Sequence, residues 1–443
     1  MPTQPTDQPT DQPTDQPTDQ PSHQTTDQTT DHQARGAGVD VAALADALDE
    51  RLRDADRELA RRFPGPRAGR QPVHTVYVPA DRYDAGLTAA WGAAATAAVD
   101  LHHDAFARIV GDDALEEAVR RKLASEPVED LRIDFEDGYG TRPDAEEDAA
   151  VDRAARELRS SMEQGTAPPF TGIRFKSFES PTRRRGLRTL VRFLEQLCQD
   201  GSLPTGFVVT LPKVTSVDQV EAMVLAAQRI EAGVGLTTPL GFEIQVETPQ
   251  SILGPDGTAL VARMVHAAAG RCTGLHYGTY DYSASIGIAA EFQAMDHPAA
   301  DHAKAVMQVA AAETGVRLSD GSTNVIPVGG PESVAAAWAL HHRLVGRSLA
   351  RGYYQGWDLH PAQLPTRYAA VFSFYRKGFA AASTRLHDYV AQRESAFMDE
   401  PATARALADF VLRGLDCGAL DDDDAVRRCG LDRAALARLA RRA

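Results

Sequence analysis

From residue 73 onward the sequence keeps one rhythm: a short apolar, β-rich run, then a long Ala- and Leu-rich segment of helical character. The runs fall at 73–78, 131–135, 172–175, 206–211, 241–246, 273–277, 323–327 and 352–359, which makes eight strand candidates. Helix candidates lie between them, such as 145–163 with its acidic start and 217–232 after Ser216. Strict alternation of this kind, with strands apolar on both faces, indicates a parallel sheet covered by helices. Eight units predict closure, so the expected fold is α/β, a (β/α)8 TIM barrel with an N-terminal helix and a C-terminal helical arm. Gly321 and Pro327 crowd the seventh run.

A barrel of roughly 250–300 residues leaves room for additions in this chain, which has 443 residues. Residues 2–33 cycle through Pro-Thr-Asp-Gln and its variants with nothing aliphatic or aromatic to bury. The stretch 1–38 is therefore expected to be a disordered tail. Residues 39–66 read as an N-terminal helix: Leu44, Leu48, Leu52, Leu59 and Phe63 form one stripe, and Pro64, Gly65 and Pro66 end it. The barrel is expected over 73–378 and the helical arm over 379–443. Cys198, Cys272, Cys417 and Cys429 are scattered, without metal-ligand spacing, and read as reduced packing residues.

The formal charge is −15. That argues against nucleic acid or an anionic membrane as partner, since both need a basic face. No apolar run reaches the roughly 18–20 residues that span a bilayer, and the N-terminus lacks a signal-peptide plan, so a cytoplasmic protein is expected.

Active sites of this fold sit on the loops after the strands. The residues just past the runs are Asp134, Glu136 and Asp137 after the second, then Arg174 and Lys176 after the third. Lys213 follows the fourth, Glu247 the fifth, Asp281 the sixth and His360 the eighth. Ionisable groups at six of eight strand ends point to a functional rim.

These residues also carry a resemblance. Leu-Arg-Ile-Asp-Phe-Glu-Asp-Gly at 131–138 resembles the D-x-E-D strand of the citrate lyase β-subunit branch of the HpcH/HpaI aldolase family. Gly-Ile-Arg-Phe at 172–175, Leu-Pro-Lys at 211–213 and Gln-Val-Glu-Thr-Pro at 245–249 are similar to three further strands of that family. Gly-Thr-Tyr-Asp-Tyr at 278–282, His-Pro-Ala-Gln at 360–363 and Met-Asp-Glu-Pro at 398–401 follow in the family's order, and Val-Pro-Ala-Asp at 78–81 echoes its opening.

The resemblance implies a Mg2+-dependent carbon–carbon lyase or aldolase, acting beside a 2-oxo acid or acyl thioester through a metal-stabilised enolate. Glu247 and Asp281 would hold the metal, and two acids on adjacent strand ends suffice for Mg2+. Arg174 would grip the substrate carboxylate, with Glu136 and Asp137 orienting the site. Gly278, Thr279 and His360 would face substrate. Asp399, as acid or base, would reach a neighbouring barrel in a homo-oligomer, a trimer or hexamer. Alternative readings for Asp399 are a helix N-cap and, for His360, a backbone hydrogen bond. Lys213 suits an ion pair better than a Schiff base, because a metal mechanism needs no imine.

The chain departs from the pattern at Val73 and His74, where the family often has Arg, and at Trp357, where Lys is usual. Coenzyme A recognition is therefore not supported. Two other classes fit the same barrel: a phosphoenolpyruvate-dependent phosphoryl-transfer enzyme, although no Gly-x-x-x-x-Gly-Lys-Ser/Thr loop is present, and a non-catalytic metabolite-binding barrel.

Overall fold

The structure, a computed structural model, describes residues 39–392 and 400–442. The expected tail at 1–38 and Asp399 lie outside the described residues. Two compact units divide the chain, Met1–Asp56 and Arg57–Ala443. The first described helix, Val41–Arg62, starts where Asp40 Oδ1 accepts the amides of Ala42 and Ala43, and none of its residues is buried.

In the second unit, eight parallel strands form the barrel. They are β1 (Thr75–Pro79), β2 (Asp130–Asp134), β3 (Phe170–Arg174), β4 (Phe207–Leu211), β5 (Phe242–Val246), β6 (Cys272–Tyr277), β7 (Arg317–Ser319) and β8 (Trp357–Asp358). Their order is β7-β6-β5-β4-β3-β2-β1-β8. A parallel bridge between Ser319 and Gln355 closes the circle, and the Asp320 amide donates to Gln355 O at 2.8 Å. Helices such as Asp144–Glu163 and Val217–Val234 cover the outside. The latter begins with a capping box, Ser216 and Gln219 satisfying each other's backbone amides.

The seventh strand differs from expectation. It occupies Arg317–Ser319, and the apolar run 323–327 belongs to the loop beyond it, with Val325 and Ile326 exposed. Three residues are too few to leave a periodic signal, and the ring is completed by loop backbone rather than by a long ladder.

Outward-facing strand residues are apolar: Leu131, Ile133, Ile173, Val209, Leu211, Ile244, Val246 and Leu275 are buried under the helices. Inside, the barrel is unusually polar. Arg132 on β2 pairs with Asp130 two residues before it and with Glu243 on β5, Nη2 to Oε2 at 2.8 Å. Glu243 also takes a bond from His276 Nε2 at 3.0 Å, and Trp357 Nε1 donates to His276 Nδ1 at 3.3 Å, which places the imidazole proton on Nε2. Thr75 Oγ1 donates to Asp130 and accepts from Gln355. Burial alone would push the Glu243 carboxyl up, but Arg132 and His276 overcome it and hold it below the usual range. Gly172 makes room for this layer: a Cβ there would stand 1.7 Å from Val208 O and 3.3 Å from Arg132 Cδ.

The C-terminal helices add a second core. Phe379 and Leu386, in the helix Leu364–Val390, pack with Val411, Leu412 and Leu415 of the helix Pro401–Asp416. The apolar side of the helix Pro401–Asp416 is thus covered within the chain.

Removing one partner of a buried charge pair leaves the other uncompensated. Glu243→Ala should therefore lower the unfolding free energy by about 3–5 kcal/mol. Urea denaturation of the two proteins measures the difference.

Candidate active site

The C-terminal ends of β2 to β6 bring the sequence-predicted acids and bases together. Asp134 and Arg174 are direct neighbours in the β2–β3 register, so their side chains enter the barrel side by side. The guanidinium meets the carboxylate with two bonds, Nε to Oδ1 at 2.7 Å and Nη2 to Oδ2 at 2.6 Å. Its third nitrogen, Nη1, lies 3.4 Å from Glu136 Oε2. The Tyr77 ring lies under the guanidinium, 4.8 Å from its carbon, and Tyr77 packs on Trp357 at 4.6 Å. Although burial opposes it, the charges of Asp134 and Glu136 hold the Arg174 pKa well above its ordinary value. The fork that sequence reasoning assigns to a substrate carboxylate is occupied here by Asp134, and the Nη1 edge is the part turned to Glu136.

Lys213 is the hub. Its amine lies 2.8 Å from Glu136 Oε1, 2.7 Å from Asp137 Oδ2 and 3.0 Å from Asp281 Oδ2. Its own backbone amide donates to Glu247 Oε1 at 2.8 Å, and Gln245 Nε2 donates to the other oxygen at 3.3 Å. Lys213 has φ 51°, in the left-handed region that a non-glycine residue rarely adopts. That turn aims both its amide and its amine at acids. Burial alone would lower the Lys213 pKa, but Glu247 and Glu136 more than offset this and raise it. An ammonium so held is not the neutral amine a Schiff base needs.

The acids differ among themselves. Glu247 is buried, and desolvation pushes its carboxyl up to about 7 against the pull of Lys213 and Arg174. Burial also raises Glu136, while the Lys213 bond keeps Asp137 low despite its own desolvation. Gly278 closes over Glu247: a Cβ at this position would stand 2.6 Å from Glu247 Oε2. Thr279 and Asp281 follow in the first turn of the helix Thr279–Ser285, and Thr279 Oγ1 is buried with no hydrogen-bond partner among the described residues. His360 stands apart in role. Its Nδ1 accepts the Ala362 amide at 3.2 Å and its side chain caps the turn Pro361–Gln363, while burial lowers its pKa.

Sequence reasoning did not assign roles to Tyr77, Gln245 or Asp134. The signal was present in each case: all three share the inward alternation of a strand with a residue already singled out or with the rim itself.

The family model that matches covers residues 52–443. The chain belongs to DUF6986, a domain of unknown function. No curated protein matches. Among solved structures, a citrate lyase of Burkholderia xenovorans LB400 is 18% identical with a TM-score of 0.56, covering 81% of this chain and 96% of its own. CitE of Mycobacterium tuberculosis, in complex with magnesium, acetoacetate and coenzyme A, is 18% identical with a TM-score of 0.45, covering 82% and 99%. Malate synthase of Haloferax volcanii is 13% identical with a TM-score of 0.47, covering 84% and 98%. At these identities the likeness is one of fold alone, carried by the first of these structures. Among the described residues, no three His, Cys, Asp or Glu side chains gather so as to hold a metal ion by themselves.

The amine of Lys213 is what lets Glu136, Asp137 and Asp281 approach one point. Lys213→Met should lower stability by about 1–3 kcal/mol, the cost of leaving charged acceptors unpaired. Thermal and urea melts at neutral pH, beside Asp137→Asn as a single-acid control, read the loss.

Proposed function

We propose that this chain is a Mg2+-dependent carbon–carbon lyase or aldolase acting next to a 2-oxo acid or acyl thioester. One observation carries the reading: Glu136, Asp137, Glu247 and Asp281 face a single lysine at the C-terminal mouth of a barrel, beside a buried arginine. In this reading two of these acids, Glu247 and Asp281, share a divalent ion. Mg2+ takes one or two protein carboxylates and completes its shell with water and substrate oxygens, so an open acid pair suits it better than a closed cage. The donor set fits: both residues present oxygen only, and Glu247 is a desolvated carboxylate whose charge needs a nearby cation.

When bound there, the ion supplies Lewis acidity toward a substrate's carboxylate and carbonyl oxygens. Arg174 contributes fixed positive charge at the same mouth, held in place by Asp134. Charge that is already oriented needs no rearrangement when the substrate gains electron density. Lys213 pairs with Glu136 and Asp137 at the opening, and Glu136 also meets Arg174. Gly278, lacking a side chain, lets the backbone pack directly against Glu247. The reading includes a homo-oligomer, a trimer or hexamer, in which Asp399 acts as acid or base across the interface, and a cytoplasmic location. Among the described residues no helix is long and apolar enough to cross a membrane.

Two experiments test the proposal. Glu247→Gln and Asp281→Asn should each abolish Mg2+-dependent turnover and weaken Mg2+ binding by calorimetry, with the fold intact by circular dichroism. A panel of 2-oxo acids, acyl-coenzyme A thioesters and phosphoenolpyruvate with nucleotide supplies the substrates. Near-full turnover of either variant at limiting Mg2+ would remove the metal assignment.

Arg174→Lys should lower kcat/KM by about 2 kcal/mol of transition-state stabilisation, because an ammonium cannot meet Asp134 and the substrate side of the site at once. A change of less than about threefold would leave Arg174 a structural residue.

A further inference from the structure

At the opposite end of the barrel the charge reverses. A cavity of about 340 Å3 lies between the N-terminal end of β7 and the C-terminal helices. Its walls carry five arginines, Arg67, Arg317, Arg405, Arg413 and Arg442, against two carboxylates, Glu313 and Asp409. The whole chain has a net charge of −15, so a concentration of positive charge here is not a reflection of composition.

The two acids do not neutralise the arginines. Asp409 is divided between Arg413 at 2.7 Å and Arg442 at 3.2 Å, and Arg442 also takes Asp416 at 3.1 Å. Glu313 meets Arg405 only at 3.7 Å. Arg317 has no carboxylate within salt-bridge distance among the described residues. Its Nη2 donates instead to the carbonyls of Ala68 at 3.2 Å and Gly69 at 3.0 Å. Burial, and then the like charges of Arg67, Arg442 and Arg413, bring the Arg317 pKa down to about 10. It is still a cation at neutral pH, half-buried and facing other cations. A partly buried cation that meets only carbonyl oxygens gains from a ligand that supplies the opposite charge.

We propose that this cavity is a binding site for a small multivalent oxyanion, with Arg317 as its central contact and Arg67 and Arg405 closing on the ligand from the walls. The guanidinium fork fits phosphate and carboxylate oxygens alike, so the shared chemistry is that of a phosphate ester or a polycarboxylate. The volume suits a ligand of that size. Arg413 is already oriented, stacked on Tyr354 at 4.3 Å and bonded to Gln71 Oε1 at 2.7 Å, which makes the wall rigid before a ligand enters. This site is independent of the rim: its residues lie at the start of β7, in the chain ahead of β1 and on the C-terminal helical segment, and none belongs to the acid cluster around Lys213.

Calorimetry on the full chain with pyrophosphate and, separately, with tricarballylate tests the assignment, each against sodium chloride at matched ionic strength. Saturable binding of either anion is expected, and the one that binds names the class. Arg317→Gln should weaken that binding by about tenfold or more, the loss of one charge-assisted contact. The same variant should keep or raise the melting temperature without ligand, because it removes an unpaired cation. Glu247→Gln, at the other mouth, should bind the anion as the wild type does, which separates this site from the proposed active site. If Arg317→Gln does not fold, Arg405→Gln, on the outer wall, is expected to weaken binding in the same direction. Failure of both anions to bind saturably, or binding unchanged in these arginine variants, overturns the proposal.

Discussion

The pair that the rest of this barrel depends on is Arg132 with Glu243. The two residues stand on β2 and β5, across the interior, and are joined where most barrels of this class place branched aliphatic side chains. A charged pair in such a place does not stabilise by itself, because desolvation offsets the attraction. It must be surrounded by further bonds, and here it is: Asp130, Thr210, His276 and Thr75 complete the layer. Every inward position of β2, namely Asp130, Arg132 and Asp134, is consequently ionic. The last of these is the residue that orients Arg174 at the mouth. The polarity of the site thus continues a pattern that begins at the floor of the barrel.

This continuity explains why so much of the site was legible before the fold was known. Charged residues in a strand such as Asp-Leu-Arg-Ile-Asp are conspicuous, and the residue after each run falls at the mouth by geometry alone. The pairings were less legible. Which carboxylate takes the Arg174 fork depends on register, since Asp134 lies directly opposite while Glu136 is two residues on and past the strand end. The convergence on Lys213 depends on its left-handed backbone, which nothing in Leu-Pro-Lys announces. The closing strand was hidden for another reason. Arg317–Ser319 is held by its neighbours' backbone rather than by its own composition, while the apolar residues nearby, Val325 and Ile326, serve an exposed loop.

The Lys213 cluster is a set of acids gathered round one ammonium. Four carboxylates cannot be brought near one another unless positive charge stands between them. The ammonium does this for Glu136, Asp137 and Asp281, while Glu247, reached only by the Lys213 amide and Gln245, keeps its carboxyl up near 7. Glu247 is therefore the acid whose charge is least compensated by the chain itself.

The two mouths of the barrel carry opposite signs, acid-rich above and arginine-rich below, and an unbroken run of contacts joins them. Arg413 bonds Gln71, Gln71 bonds Gln355, and Gln355 reaches Asp130 through Thr75. From there Arg132, Glu243, His276 and Trp357 lead to Tyr77 beneath Arg174. Such a column transmits a change only if it has two arrangements of similar energy. Its lower part does not have that freedom, because each fork and carboxylate there is engaged and a satisfied polar network resists rearrangement. Some buried polar atoms have no hydrogen-bond partner among the described residues, among them Tyr77 Oη within the column and Gln245 Oε1 and Thr279 Oγ1 on either side of Glu247 in the chain. The physical division of labour follows from this. The paired charges of the floor fix where the mouth residues stand, while Tyr77 Oη, Gln245 Oε1 and Thr279 Oγ1 keep hydrogen-bonding capacity to spare.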